Sequence, residues 1–154
     1  MTKLFIDIDE TLSPRVVKQH HYKNYGPFIE RVVSSYRVLM PEFILEFLKE
    51  FSSKKGNRVY LISNWGSKAD DFASEFGFKA FNIDYSNYSE KNGMLGRIET
   101  VKRLSEKGDV YLDSKLTIAH QRTLALSGVL ALPPTEKNAC LSRRNIERVK
   151  NFID

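Results

Sequence analysis

Four short apolar runs constrain this chain more than any other feature: Leu4–Ile6, Val59–Ile62, Val110–Leu112 and Val129–Leu132. Each is too short for a helix, holds no charged position, and is rich in β-branched and aromatic or aliphatic side chains. That is the pattern of a strand buried on both faces. Between the runs, apolar residues recur at helical spacing. From 41 to 51, Phe43, Ile44, Phe47, Leu48 and Phe51 share one face; Pro41 suits the first helical position, and Lys54-Lys55-Gly56 supplies a stop. A second helix is expected over 67–76, packing Ala69, Phe72, Ala73 and Phe76 and ending at Gly77. A third covers about 97–106, with Ile98, Val101 and Leu104 inward, and a fourth about 117–126. The last starts after Ser142, a natural N-cap, and buries Ile146, Val149 and Phe152. Residues 79–83 suit a short strand and 84–95 a loop. Strands alternating with helices of this length make βαβ units, so the fold class is α/β: one domain over 1–154, with a mostly parallel sheet and helices on both faces.

The segment from Ser13 to about Leu39 breaks the pattern. It is polar and aromatic, is punctuated by Pro14, Gly26 and Pro27, and keeps no period; an irregular flap with a hairpin over 31–39 is expected. The 154 residues suit a single core, and 42% hydrophobic with 28% charged is ordinary globular composition. One cysteine, Cys140, excludes an internal disulfide framework and a multi-cysteine zinc site. No apolar stretch approaches the ~20 residues of a membrane-spanning helix, so no membrane partner is expected. With no leader pattern at Met1-Thr2-Lys3, a reducing, cytoplasmic setting is expected. Lys and Arg outnumber Asp and Glu by 24 to 19, a net charge of +5 that favours anionic partners.

The acids stand where a site would form. Asp7 and Asp9 follow the first strand, Asp113 follows the third apolar run, and Ser63 ends the second. In open α/β sheets, ligands bind beyond the carboxyl ends of the strands. Three carboxylates gathered there repel one another and lose hydration, a cost of several kcal/mol unless a cation neutralises them. A hard divalent ion such as Mg²⁺ is the simplest one. Alternation in Phe5-Ile6-Asp7-Ile8-Asp9 points both acids to one side if the strand persists that far.

Residues 4–12, Leu-Phe-Ile-Asp-Ile-Asp-Glu-Thr-Leu, resemble the first motif of the haloacid dehalogenase superfamily, an apolar strand followed by Asp-x-Asp-x-Thr. Val59–Ser63 is similar to that family's second motif and Val110–Asp113 to its fourth, in the family's order. The sequence Ile62-Ser63-Asn64-Trp65 and the tail Leu132-Pro133-Pro134 through Leu141-Ser142 resemble the small capless members, some of which occur in RNA-repair proteins. The resemblance implies a haloacid-dehalogenase-like (Rossmann-like) domain, capless with a short flap, and a Mg²⁺-dependent phosphatase acting through an aspartyl-phosphate. Asp7 would be the nucleophile, and Asp9 the group that protonates the leaving oxygen and then activates water. Asp7, Asp113 and the Asp9 carbonyl would hold Mg²⁺. Ser63, Asn64 and nearby N–H groups would bind phosphate, and Thr11 would fix the loop. The third-motif cation is left open: Arg97 is the first choice by its distance before Asp113, with Lys91 and Lys102 as alternatives. Ser114 departs from the family, since many members carry a second acid there, and weaker metal binding is expected. Glu10, a small residue in many members, is assigned no role.

The stretch between Thr11 and Leu61 leaves no room for a large cap, so bulky substrates are admissible, including a nucleotide or the end of a nucleic-acid strand. Arg15, Lys18, Lys23, Arg31 and Arg37 interleave with Tyr22, Tyr25, Phe28 and Tyr36 in the flap, which suits a phosphate backbone and stacked bases. Anchoring of the flap explains the aromatic residues at least as well. His20-His21 reads as a surface pair rather than a metal pair. A small-metabolite phosphatase and a non-catalytic protein that binds nucleic acid or a protein partner are the alternative readings.

Overall fold

In the computed structural model, which describes residues 1–154, the chain begins with β1 (Lys3–Ile6), α1 (Gln19–Tyr25), β2 (Phe28–Val33), β3 (Tyr36–Pro41) and α2 (Glu42–Ser53). It continues through β4 (Arg58–Leu61), α3 (Lys68–Phe76), β5 (Phe81–Asn82), a 3₁₀ turn at Tyr85–Asn87 and α4 (Gly93–Leu104). It ends with β6 (Val110–Leu112), α5 (Ile118–Ala125), β7 (Leu130–Leu132) and α6 (Arg143–Ile153). Five strands form one parallel sheet in the order β5-β4-β1-β6-β7, and β2 pairs antiparallel with β3 in a separate hairpin. The chain leaves β1 toward β4 and β5, then crosses back to place β6 on the other side of β1. This is the doubly wound, Rossmann-like arrangement, and the β1/β6 boundary is its topological switch point.

Side-chain alternation sorts the core into two layers. Leu4, Ile6, Val59, Leu61, Val110 and Leu112 point into a layer with Phe47, Leu48 and Phe51 of α2, Phe72 and Phe76 of α3, and Ile146 and Val149 of α6. Phe5, Tyr111 and Ala131 face the opposite layer, with Ile98 and Val101 of α4 and Leu124 of α5. The central runs Leu4–Ile6 and Val110–Leu112 are therefore buried on both faces, which is why they read as continuously apolar, whereas Phe81 of the edge strand β5 is exposed.

Local signals set the helix ends. Gly77, with φ 78°, closes α3 by donating its N–H to Ala73 and Ser74 carbonyls. Ser142 caps α6: its Oγ accepts from the Asn145 N–H at 3.2 Å while Asn145 Oδ1 accepts from the Ser142 N–H at 2.9 Å. Replacing Ser142 with Ala is expected to cost about 1 kcal/mol, read as a lowered unfolding midpoint in urea.

Several sequence expectations change. Pro41 ends β3 and occupies the N-cap of α2 rather than its first turn. Phe152 is 42% exposed, because α6 lays only Asn145, Ile146 and Val149 fully against the core. α4 begins at Gly93, inside the expected loop; the glycine-rich start hid it. The flap is ordered rather than irregular. α1 buries only His21 and Tyr25, a polar-aromatic stripe that hydrophobic periodicity does not register. The hairpin spans 28–41, turns at Ser34 and Ser35 (both with positive φ), and buries Val33, Val38 and Met40 in the main core.

Candidate active site

β1 and β6 run in parallel register with Ile6 opposite Leu112, so Asp7 and Asp113 leave the sheet side by side. The Asp7 N–H still donates to the Leu112 carbonyl at 3.0 Å and the Asp113 N–H to the Leu132 carbonyl at 3.3 Å. Arg97, from α4, meets both carboxylates with one nitrogen. Its Nη1 donates to Asp113 Oδ2 at 2.9 Å and lies 3.3 Å from Asp7 Oδ1. All three are buried, at 3% exposure or less. α4 can bring Arg97 here because Gly96 lets the Lys91 carbonyl lie against the helix, where a Cβ would collide with it.

Asp113 takes two further donors from its own strand and loop, which leaves an acceptor site open on Oδ1. Tyr111, two residues back and on the same face, donates its hydroxyl to Oδ2 at 2.7 Å, and the Lys115 N–H donates to Oδ1 at 3.0 Å. Burial, then the neighbouring Asp113 charge, pushes Asp7 up to about 8 despite Arg97. Burial works against the Arg97 charge, but the two acids outweigh it and hold the guanidinium firmly protonated. Tyr111 is likewise pushed up, by burial first and Asp113 second.

β1 stops at Ile6, so strand alternation does not carry Asp9 to the side of Asp7. A tight loop does so instead: the Ile8 carbonyl accepts N–H groups from Thr11, Leu12 and Ser13, and Glu10 sits in the left-handed region with φ 58°. Thr11 Oγ1 accepts the Ser114 N–H at 3.0 Å, tying the loop after β1 to the loop after β6. Asp9 Oδ2 accepts from the Trp65 indole N–H at 3.2 Å.

Asp7, Asp9, Glu10, Arg15, Asn64, Arg97 and Lys115 line one polar cavity of about 150 Å³. It shares Asp9, Arg15 and Asn64 with a larger cavity of about 490 Å³ beneath the hairpin. Asn64 Oδ1 accepts from the Tyr85 hydroxyl at 3.0 Å, which leaves its NH₂ group as a donor. Ser63 lies buried behind the wall, its Oγ accepting the Trp65 N–H at 3.2 Å. Of the three third-motif candidates, only Arg97 reaches the acids. Lys91 pairs with Glu99 at 2.7 Å, and Lys102 lies exposed on α4. Sequence reasoning missed Tyr111, Lys115 and the Trp65–Asp9 bond. Only Tyr111 carried a usable signal, a hydroxyl in an otherwise apolar strand two residues before an acid.

The donor set suits a hard divalent cation. Asp7 and Asp113 supply buried carboxylate oxygens from adjacent strands, and a single guanidinium is shared between them. Ser114 Oγ and Thr11 Oγ1 each lie 3.5 Å from the Asp9 carbonyl, so that oxygen also faces the junction of the two loops.

A second cluster, His20, His21 and Glu136, brings potential metal ligands together. His21 is buried at 2% exposure with its ring centre 4.2 Å from that of His20, which corrects the expectation of a surface pair for His21, while His20 is exposed. The His21 Nδ1 accepts the Lys18 N–H at 3.0 Å, so the neutral ring carries its proton on Nε2, facing Glu136, and has no lone pair there for a metal. Glu136 accepts from Tyr25 at 2.7 Å and pairs with His20 at 2.8 Å, latching α1 to the loop after β7. Those bonds, Tyr25 first, hold Glu136 below the usual carboxylate range. A lowered folded value stabilises above the unfolded value and is lost as pH falls through the folded one. Thermal unfolding of Glu136→Gln should therefore differ from wild type at neutral pH and converge with it in acid.

No protein-family model matches the chain, and no curated protein sequence matches it. The fold and site define a doubly wound α/β protein with an acidic centre at its switch point. No helix is long and apolar enough to cross a membrane.

Proposed function

We propose that the chain is a Mg²⁺-dependent phosphomonoesterase of the haloacid dehalogenase type, acting on a nucleotide or a nucleic-acid terminal phosphate. The observation that carries this reading is the convergence of Asp7, Asp113 and Arg97 at the β1/β6 switch point, with Asp9 on the cavity that Asp7 and Arg97 line. Structural acids are rarely crowded and buried together, whereas phosphoryl transfer uses such a centre.

In this mechanism an Asp7 oxygen attacks phosphorus, the bond to the leaving oxygen breaks, and Asp9 gives that oxygen a proton. Asp9, now a carboxylate, takes a proton from water; the hydroxide attacks phosphorus and the bond to Asp7 breaks, releasing phosphate. Arg97 balances the Asp7 and Asp113 charges, while the Asn64 NH₂ and Lys115 offer donors to phosphoryl oxygens. The Trp65 indole orients Asp9. Asp7, Asp113 and the Asp9 carbonyl would hold Mg²⁺, which neutralises phosphoryl charge.

Phosphate release from 5′- and 3′-mononucleotides, end-phosphorylated oligonucleotides and sugar phosphates, with Mg²⁺ or EDTA, tests the proposal. Metal-dependent release supports it, fastest sugar-phosphate turnover would shift the substrate to small metabolites, and no release from any substrate would contradict it. Asp9→Asn is expected to slow turnover by about 10²–10⁴-fold at unchanged thermal stability. A non-catalytic binding role draws on Ser114 and the three donors already on Asp113, and predicts oligonucleotide binding without any turnover.

A further inference from the structure

We propose that the larger cavity beneath the hairpin is a nucleotide site, where a base lies against Trp65 and Tyr36 and a second phosphate meets Arg15 and Lys68. It rests on the phosphomonoesterase reading only for which phosphate faces Asp7.

The walls carry this assignment. Trp65 is held from three sides: its N–H on Asp9, Phe72 edge-on at 5.5 Å between ring centres, and Tyr36 edge-on at 6.5 Å. The indole is thus a fixed platform, partly buried against the core but still lining the cavity. Tyr36 is 59% exposed although its hairpin is anchored in the core, so the ring is kept at the cavity without being buried by the fold. A base stacked there would cover apolar surface that otherwise faces water.

Charge selects for a second anion. The Arg37 guanidinium is bound by both oxygens of Glu30 and is largely neutralised. Arg15 and Lys68 make no ion pair, yet both line the cavity, with the Lys68 ammonium 5.4 Å from the Tyr36 ring centre. Its only acid, Asp9, sits at the edge shared with the smaller cavity. A sugar monophosphate at Asp7 would reach Arg15 at the shared edge but leave both rings and Lys68 unused. A nucleoside bisphosphate or the end of an oligonucleotide would use them all.

The chain has one tryptophan, so Trp65 emission reports directly from the cavity. Asp7→Asn protein, which binds without turnover, is titrated with 5′- and 3′-phosphorylated dinucleotides, a nucleoside 3′,5′-bisphosphate, a mononucleotide and ribose 5-phosphate. Quenching by the nucleotides, with dinucleotide or bisphosphate at least about tenfold tighter than ribose 5-phosphate, is expected. Adding Tyr36→Ala should weaken every base-bearing ligand. Adding Arg15→Met with Lys68→Met should weaken the doubly phosphorylated ligands about tenfold and the mononucleotide much less. Dinucleotide-only binding assigns a chain end, and equal bisphosphate binding assigns a free nucleotide. Equal affinity for ribose 5-phosphate, or indifference to the added substitutions, overturns the site. If wild type hydrolyses simple aryl phosphates but these titrations fail, only the nucleotide site is lost. If nothing is hydrolysed yet nucleotides still quench in this pattern, the site stands and the phosphatase reading falls.

Discussion

Asp7→Asn protein is expected to lose phosphate release by a factor on the order of 10⁴ or more while unfolding at the same temperature as wild type, or higher. The two halves of this result have one cause. Asp7 is buried beside Asp113, and only Arg97 offsets the pair. An amide keeps the shape, can still accept from Arg97 through its oxygen, and replaces an acid whose charged form burial and Asp113 already disfavour, so the fold keeps its stability while the nucleophile is lost. A carboxylate kept for structure would behave in the opposite way, with stability falling and any activity falling in proportion. Parallel melting curves and phosphate-release rates on one preparation separate the two.

Removing the cation should have the largest effect on stability. Arg97→Met leaves Asp7 and Asp113 buried without a partner, and breaking a buried ion pair from one side costs about 3–5 kcal/mol. The Asp113 carboxylate retains Tyr111 and Lys115 as donors, but neither brings a charge to bear within hydrogen-bond reach, since Lys115 donates through its backbone. The loss should shrink when millimolar Mg²⁺ is added, because a divalent ion between the acids replaces the missing positive charge. Melting temperatures of wild type and Arg97→Met, each with Mg²⁺ and with EDTA, give the comparison. A rescue confined to the variant, or larger in it, fits the account; a variant equally unstable in both would not.

What the sequence carried and what it hid follow from physics rather than from length of motif. The apolar runs of β1, β4 and β6 announce themselves because burial keeps charge off every position but the first residues, Lys3 and Arg58. Strand order is not written locally: that β6 lies beside β1 rests on the crossover after β5, and only that adjacency brings Asp113 to Asp7. Arg97 was one of three cations at similar distances from Asp113; Gly96 and the path of α4 decide among them, and neither is visible in a one-dimensional pattern. The flap was misread because α1 buries His21 and Tyr25, whose partner Glu136 lies far along the chain. The bond from the Trp65 indole N–H to Asp9 joins residues 56 apart, which no local pattern in the sequence shows. Asp9 itself reaches the cavity through a left-handed Glu10, not through strand alternation, so the right position came from the wrong geometry. Replacing Glu10 with Gly, which adopts that φ without strain, should leave the fold at least as stable and phosphate release intact.

The most direct measurement is acid quenching of the wild-type chain during turnover of a ³²P-labelled monoester, followed by peptide mapping. The account predicts label on Asp7 as a hydroxylamine-sensitive acyl phosphate, present with Mg²⁺ and absent with EDTA or in the Asp7→Asn chain. Phosphate released with no labelled protein, or label on any other residue, would contradict it.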